Sequence, residues 1–167
     1  MTIEISLPAG VSVWTPDMLK TDMPEMHSIL DDFGARSASA QGISQPMTTA
    51  SKFISSDHRV YIMSDGQHAT GFLKVGPKHL YHYNKKGKLC EIDPTCALDF
   101  FVDENCQRQG IGLSLIYHFL ETEGCEARMV AWDKPTPKSL GLVSKHFGLT
   151  SFVPQPNNFV VFDEYFS

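Results

Sequence analysis

A six-residue segment with two glycines, QRQGIG at residues 107–112, separates two apolar runs of different character. Residues 96–102, CALDFFV, have the length and aromatic content of a buried strand. Residues 113–120 place Leu115, Ile116, Phe119 and Leu120 on one face of a helix. A strand, then a glycine loop, then the first turn of a helix is a sequence of elements that predicts an anion-binding site. Glycine lets a ligand approach the backbone, and the first helical turn has free N–H groups.

The glycine pattern excludes two kinds of nucleotide site. A P-loop would end in Gly-Lys-Ser or Gly-Lys-Thr, but Gly112 is followed by Leu113 and Ser114. A Rossmann loop would have a third Gly or Ala where Leu115 stands. The remaining pattern, Gln-x-x-Gly-x-Gly, resembles the pyrophosphate loop of GNAT-type acetyltransferases, which bind acetyl-CoA. Ordinary loop-to-helix turns also contain such patterns, so the flanking strand and helix carry the prediction.

Size and charge narrow the class further. A length of 167 residues with 42% hydrophobic residues predicts a single domain spanning residues 1–167. The net charge of −5 argues against sequence-independent binding of nucleic acid. Because no signal peptide or membrane-length apolar run is visible, we expect a soluble intracellular protein without membrane contact.

Cysteine and histidine usage argues against a metal centre. The four cysteines, at 90, 96, 106 and 125, form no Cys-x-x-Cys pair and are expected to be reduced thiols. His79 and His82 have the spacing of a ligand pair, but we interpret them as exposed residues of a polar hairpin. We therefore expect no bound metal.

Periodicity along the chain predicts a layered fold. The first twenty residues carry little pattern, and residues 24–40 and 135–145 read as helices. Strands are predicted at residues 59–63, 71–75, 79–83, 95–102, 127–132 and 159–162, with a helix from the glycine loop to about Glu123. Hairpins first and strand–helix alternation later predict an α/β (α+β) domain, with a mixed, mostly antiparallel sheet and helices on both faces.

Three side chains near the glycine loop are candidates for chemistry. Cys96 opens the strand before the loop, and Asp133 follows the strand after the next helix. Each has a plainer interpretation that local sequence favours: a small buried hydrophobe for Cys96, and a helix N-cap for Asp133. By simple counting the two do not lie at the same end of their strands. Asp99 lies inside an apolar strand and needs a partner, so it is either structural, the favoured interpretation, or at the edge of a substrate site.

A cluster of basic residues contrasts with the overall negative charge. Five lysines fall within fifteen residues: Lys74, Lys78, Lys85, Lys86 and Lys88. Composition alone favours a solvated hairpin surface. The alternative is a docking surface for an acidic protein.

Four segments taken together resemble the catalytic domain of the α-tubulin N-acetyltransferases. They are residues 96–101 (CALDFF), 107–112 (QRQGIG), 132–135 (WDKP) and 153–162 (VPQPNNFVVF), and the segments 38–41 (ASAQ) and 71–76 (GFLKVG) match as well. The resemblance covers roughly residues 25–166. It implies a GNAT-like fold and the transfer of acetyl from acetyl-CoA to a lysine of α-tubulin in microtubules. It also implies a cytoplasmic, microtubule-associated enzyme, which we expect to be a monomer.

The resemblance assigns roles to residues of this sequence. It implies catalytic functions for Cys96, Asp133 and Gln41, although Gln41 alone reads as a polar residue at a helix end. We expect substrate contacts from Lys74, Lys78 and Asp99. The expected acetyl-CoA contacts are Phe100, Phe101, Val102, Gln107, Arg108, Gln109, Gly110, Ile111, Gly112, Leu113, Thr136, Lys138 and Ser139. Because the family often has a basic residue where Leu113 stands, we expect one phosphate contact to be missing.

Two mechanisms and two other functions remain open at this point. Direct attack by the lysine amine, with Asp133 as base, is favoured over an acetyl-Cys96 intermediate, because no adjacent histidine is visible to activate the thiol. The other functions are a GNAT-type enzyme for another protein or a small-molecule amine, and a non-catalytic CoA-binding microtubule adaptor.

Overall fold

The structure of the protein is a computed structural model that describes residues 7–107 and 109–167. Within these residues the strands are β1 (Gly10–Trp14), β2 (Arg59–Ser64), β3 (Ala69–Pro77), β4 (Leu80–Tyr83), β5 (Leu89–Ile92), β6 (Thr95–Val102), β7 (Val130–Asp133) and β8 (Phe159–Val160). The α-helices are α1 (Pro16–Leu19), α2 (Pro24–Gln41), α3 (Ala50–Ile54), α4 (Ile111–Glu123) and α5 (Pro137–Phe147). Their order matches the predicted change from hairpins to strand–helix alternation.

The central sheet has the strand order β1-β2-β3-β6-β7-β8. All neighbouring pairs in it are antiparallel except β6 and β7, which are parallel and joined through α4. Strands β4 and β5 form a separate two-stranded sheet. The predicted mixed, mostly antiparallel sheet is therefore confirmed.

The two faces of the sheet are covered by different helices, as β2 illustrates. Side chains alternate across a strand, so Val60 and Ile62 pack with the buried face of α2, while Tyr61 packs with α4. On the α2 side the rings of Phe33 and Phe72 stack with centroids 5.6 Å apart. On the α4 side Tyr61 meets Phe119 edge to face at 5.8 Å. Helices on both faces are thus confirmed.

The two parallel strands separate soon after they meet. Residues 95–97 of β6 pair with residues 130–132 of β7, and β7 ends at Asp133 while β6 continues to Val102. A register shift against β3 between Lys74 and Val75 leaves Leu98 as an extra residue on β6, and such bulges bend a strand. The edge of β6 beyond Ala97 is therefore not covered by β7, and its backbone groups can pair with a ligand.

Several element boundaries differ from the predictions. The first twenty residues contain β1 and α1, where little pattern was visible, and α3 was not predicted. The predicted third strand does not join the main sheet but pairs with β5. Residues 127–129 form a 3₁₀ turn before β7, and α5 begins at Pro137 instead of Pro135.

Candidate active site

Cys96 and Asp133 lie close together at the point where β6 and β7 separate. Cys96 is paired in register with Ala131, and Asp133 is only two residues further along β7. The two residues do lie at different ends of their strands, as expected, because Cys96 is the second residue of β6 and Asp133 is the last residue of β7. They are nevertheless close, because β7 is short. The two strands bring both candidates to one site.

Asp133 is not a helix N-cap, so that interpretation is wrong. The N-cap of α5 is Thr136, whose Oγ1 accepts a hydrogen bond from the Ser139 backbone N at 3.1 Å. Burial raises the pKa of the Asp133 carboxyl, and the nearby charges of Lys134, Lys78 and Lys74 oppose that rise. A half-buried carboxylate with a raised pKa is a stronger base than a solvated one.

The thiol of Cys96 is fully buried. Its Sγ donates to the Pro94 carbonyl oxygen at a distance of 3.6 Å. Burial, together with the negative charge of Asp133, raises the pKa of this thiol to about 12. Cys96 is therefore protonated at neutral pH.

Gln41 is the last residue of α2 and lies on the same cleft as Asp133. The lining of this cleft includes Gln41, Asp99, Asp133, Thr136 and Ser139. The cleft is thus lined by residues predicted for catalysis, for substrate contact and for cofactor contact. Trp132, which packs edge to face on Phe100 at 6.0 Å, also lines the cleft.

Asp99 has the buried partners that its strand position required. Its carboxylate accepts hydrogen bonds from Ser37 Oγ and Thr48 Oγ1, both at 2.6 Å, and from the Phe100 backbone N at 3.0 Å. Burial raises the pKa of Asp99, and these bonds oppose the rise. Only 3% of the residue is exposed, so little of it is open to a substrate, and a substrate contact from Asp99 stays a prediction.

Lys74 does not belong to an exposed basic surface, and that expectation is wrong. It lies in the middle of β3, is 5% exposed, and donates from Nζ to the Met47 carbonyl oxygen at 3.0 Å. Burial lowers its pKa. Lys78, by contrast, is exposed just beyond the end of β3. The remaining exposed lysines of the cluster, Lys85, Lys86 and Lys88, lie in and beside the turn between β4 and β5.

The two histidines of this hairpin differ. His79 is exposed and bonds Asp93 Oδ1 at 2.6 Å and Glu91 Oε1 at 2.9 Å. His82 is buried, contrary to the expectation, because alternate residues of β4 face inward. It lines a cavity of about 380 Å³ beside the hairpin, which shares no lining residue with the cleft at Asp133.

The predicted anion loop leads into α4 as expected. Gly110 is the N-cap in the left-handed conformation, with φ 74°, and α4 runs from Ile111 to Glu123. A Cβ on Gly112 would lie 3.0 Å from the Phe100 ring, so the ring would have to shift slightly to admit a side chain there. The first helical turn leaves backbone N–H groups free, and such groups can bind an anion. These features fit a pyrophosphate group.

Helix α5 contacts the glycine loop through a side-chain hydrogen bond. Lys138 Nζ donates to Gln107 Oε1 at 2.7 Å, which links the two segments expected to contact acetyl-CoA. Gln109 is exposed and Leu113 half-buried, whereas Arg108 lies outside the described residues. Phe101 directs its ring towards Phe33 in the α2 core, so only its backbone is available to a ligand.

The sequence reasoning missed Ser37, Thr48 and Lys134. Ser37 was detectable, because Phe33, Ser37 and Gln41 are spaced four residues apart and so share one face of α2. Thr48 gave no such signal, since it lies in a segment without periodicity. Lys134 has a positive φ of 44°, which the sequence does not reveal.

Comparison with known proteins gives consistent results. A family model described as "GNAT acetyltransferase, Mec-17" matches residues 6–167. A protein of Tetrahymena thermophila named α-tubulin N-acetyltransferase is 43% identical over 162 residues, covering 94% of this chain and 41% of that protein. A protein of Phytophthora infestans with the same name is 39% identical over 161 residues, covering 86% of this chain and 90% of that protein.

Solved structures share the fold. The xEco2 acetyltransferase domain, solved with a K105-CoA conjugate, superposes with a TM-score of 0.56 at 14% identity, over 87% of this chain and 91% of that one. The chain spans only about two-fifths of the length of the Tetrahymena relative. Among the described residues, no helix is long and apolar enough to cross a membrane. Since one family model accounts for nearly all of its residues, the chain belongs to the Mec-17 family of GNAT acetyltransferases.

Proposed function

We propose that this domain transfers the acetyl group of acetyl-CoA to a lysine side chain of α-tubulin. Family membership supports the acetyl transfer, and the names of the Tetrahymena and Phytophthora relatives support the substrate. The single observation that carries the proposal is the position of Asp133, half-buried where β6 and β7 separate and on the same cleft as Gln41.

Asp133 acts as the base for the acceptor lysine. With an ordinary pKa near 10.4, removing the proton of a lysine ammonium costs about 4.6 kcal/mol at pH 7. Burial raises the pKa of the Asp133 carboxyl and so strengthens it as a proton acceptor. The amine then attacks the acetyl carbon directly, forming the amide as the C–S bond of the thioester breaks and CoA leaves as a thiolate that takes up a proton. Holding both reactants in one cleft supplies much of the rate.

The side of the cleft that binds the cofactor is formed by β6, α4 and α5. Acetyl-CoA supplies the activated acetyl group as a thioester. The uncovered backbone of Phe100, Phe101 and Val102 pairs with its extended arm, and the first turn of α4 with Gly110 and Gly112 holds its pyrophosphate. The other expected contacts of the loop and of α5 stay predictions: Gln107, Arg108, Gln109, Ile111, Leu113, Thr136, Lys138 and Ser139.

Cys96 is a poor candidate for a covalent intermediate. With its pKa raised to about 12, forming the thiolate at pH 7 costs about 7 kcal/mol, which exceeds the cost for the lysine itself. The buried thiol instead packs beneath the reacting groups, next to Asp133. Trapping an acetyl group on Cys96 in the absence of an acceptor would reverse this ranking.

The exposed lysines provide the docking charge. Lys78 follows β3 directly, and Lys85, Lys86 and Lys88 are exposed in the β4–β5 hairpin. Positive charge on this side attracts an acidic surface such as that of tubulin despite the net charge of −5. Association with microtubules in the cytoplasm follows from this substrate.

The test is to incubate the protein with acetyl-CoA and microtubules and to map acetylated lysines by mass spectrometry. Wild type should modify α-tubulin, and Asp133→Asn should lower the rate by about 10²–10⁴-fold. Asp22→Asn, an exposed carboxylate outside the cleft, is the matched control and should match wild type. Lack of acetyl-lysine on α-tubulin contradicts the proposal.

Two other results would identify the rival functions. Modification of other proteins or of small amines, with tubulin untouched, would indicate a GNAT-type enzyme of different specificity. CoA binding without transfer to any acceptor would indicate an adaptor. The common cleft of Asp133, Gln41 and the cofactor segments favours the enzyme.

A further inference from the structure

A buried chain of hydrogen bonds lies directly beneath Gln41. Gln41 Nε2 donates to Ser37 Oγ at 3.0 Å, and Ser37 Oγ donates to Asp99 Oδ1 at 2.6 Å. Thr48 Oγ1 donates to the other oxygen of Asp99, also at 2.6 Å. Ser37, Thr48 and Asp99 are at most 3% exposed. Three buried polar groups thus meet at the end of α2 next to the cleft.

The direction of these bonds follows from the available protons. An ionised carboxylate only accepts hydrogen bonds, so Ser37 must give its single hydroxyl proton to Asp99. The oxygen of Ser37 is then an acceptor towards Gln41. The carboxamide of Gln41 consequently has to turn its NH₂ group towards Ser37, and Asp99 Oδ1 at 3.5 Å reinforces this orientation.

The opposite end of the carboxamide is left without a partner. Gln41 Oε1 is buried and has no hydrogen-bond partner among the residues that the structure describes. A buried acceptor without a donor is unfavourable, and a donor that enters the cleft relieves the penalty. Gln41 shares the cleft with Asp133, which is itself an acceptor when ionised.

We infer that Ser37 and Asp99 are positioning residues that fix the Gln41 carboxamide with its oxygen as an acceptor for the substrate amine. The inference rests on the proposed function, because it names how the same cleft binds the acceptor lysine. An ammonium group has three N–H donors. Asp133 accepts one and Gln41 Oε1 accepts a second, and together they orient the nitrogen for attack.

The specific test is a double-mutant cycle of Ser37→Ala and Gln41→Ala, assayed on α-tubulin at varied acetyl-CoA and varied acceptor. Ser37→Ala frees the carboxamide to rotate, so kcat/KM for the acceptor should fall roughly three- to ten-fold, the value of one hydrogen bond. KM for acetyl-CoA should not change. In the Gln41→Ala background, Ser37→Ala should have no further effect, because Ser37 acts through Gln41.

Thr48→Val is the matched control. It removes one equally short hydrogen bond to Asp99 but does not touch Gln41. If the cluster only stabilises the fold, Thr48→Val and Ser37→Ala should reduce kcat/KM alike, and the losses in the cycle should add. Either result overturns the inference. Thermal unfolding of each variant separates loss of folded protein from loss of turnover.

A second variant keeps the test decisive if Ser37→Ala does not fold. Gln41→Glu retains the size of the side chain but cannot donate to Ser37 and is repelled by Asp99. It should lose as much acceptor kcat/KM as Gln41→Ala, and wild-type activity would overturn the inference. Wild-type protein without tubulin acetylation would instead contradict the proposed function, and the inference with it.

Discussion

Lys74 and Asp99 face each other across the antiparallel ladder of β3 and β6, and both residues are at least 95% buried. Each opposes the effect of burial on the other, since Asp99 raises the pKa of Lys74 and Lys74 lowers that of Asp99. Lys74, which from the sequence was expected on an exposed basic surface, is therefore buried next to Asp99 beneath the cleft.

Charge reversal should separate Lys74 from Lys78. Lys74→Glu puts a second carboxylate opposite Asp99 and should lower the free energy of unfolding by about 3 kcal/mol or more, the cost of an uncompensated buried charge. Lys78→Glu should leave stability unchanged and raise KM for microtubules, with little change in KM for acetyl-CoA. Urea unfolding and steady-state kinetics check both, and equal stability of the two variants would refute the distinction.

The pH dependence of the reaction should report Asp133. Its carboxyl must be ionised to accept a proton, and its pKa lies above the ordinary value of 3.8. The acid limb of kcat/KM should therefore fall as pH drops through that raised pKa. Removing the positive charge in Lys134→Gln should move this limb to higher pH, because Lys134 lowers the pKa of Asp133. A limb that does not shift would argue against Asp133 as the base.

Acid should destabilise the fold through His58. Burial, with Lys74 and Lys78 nearby, lowers its pKa to about 4. Between that value and 6.5 the unfolded chain binds one more proton, so stability falls as pH drops. From pH 7 to pH 5 wild type should lose about 2 kcal/mol more than His58→Gln. Denaturant midpoints at both pH values measure this, and parallel losses in the two proteins would contradict it.

Substituting Gly112 should weaken cofactor binding. A methyl group there would approach Phe100 at 3.0 Å and Leu142 at 3.4 Å, and so would disturb the first turn of α4. Because overpacking costs about 1–3 kcal/mol, Gly112→Ala should weaken CoA binding by about ten-fold, as measured by calorimetry. Gly141→Ala, in α5 with open space around it, is the matched helix control and should bind CoA normally. Equal binding by both variants would exclude this packing requirement.

The thiol of Cys96 should be unreactive. It is fully buried with a pKa of about 12, whereas Cys90, Cys106 and Cys125 are partly exposed. Alkylation at pH 8 should therefore modify Cys96 last, as peptide mapping by mass can show. Incubation with acetyl-CoA alone should leave it unmodified, and early alkylation of Cys96 would reopen the covalent mechanism.

The sequence predicted those helices and strands in which hydrophobic residues recur with a strong period. The helix at 24–40 and the strand at 95–102 are examples, because many residues in each repeat the same preference. Strand β1 was not predicted, because its partner β2 lies about fifty residues away in the sequence. A tertiary pairing of this kind outweighs a weak local preference.

The active site was predictable mainly through resemblance. Local sequence rules assigned Cys96 to the core and Asp133 to a helix cap. Cys96 is indeed buried, whereas Asp133 is not a helix cap. What local rules lacked was the register of β6 on β7, which sets the distance between the two residues. The burial of Lys74 was hidden for the same reason, since a count of charges along the chain does not reveal which face of a strand is covered.

The segment 153–162, one of those that resemble the family, connects the β4–β5 hairpin to the loop of Asp133 through Gln155. The Gln155 carboxamide accepts from the Tyr83 backbone N at 2.9 Å and donates to the Tyr83 carbonyl oxygen at 2.8 Å, so it extends the edge of β4. Its own carbonyl oxygen accepts from the Asn158 N, and the Asn158 carbonyl oxygen accepts from the Lys134 N next to Asp133. The β4–β5 hairpin and the loop that carries Asp133 are thus linked by hydrogen bonds through residues 155–158, so under the proposed function a partner that displaces the hairpin would also pull on the loop next to Asp133.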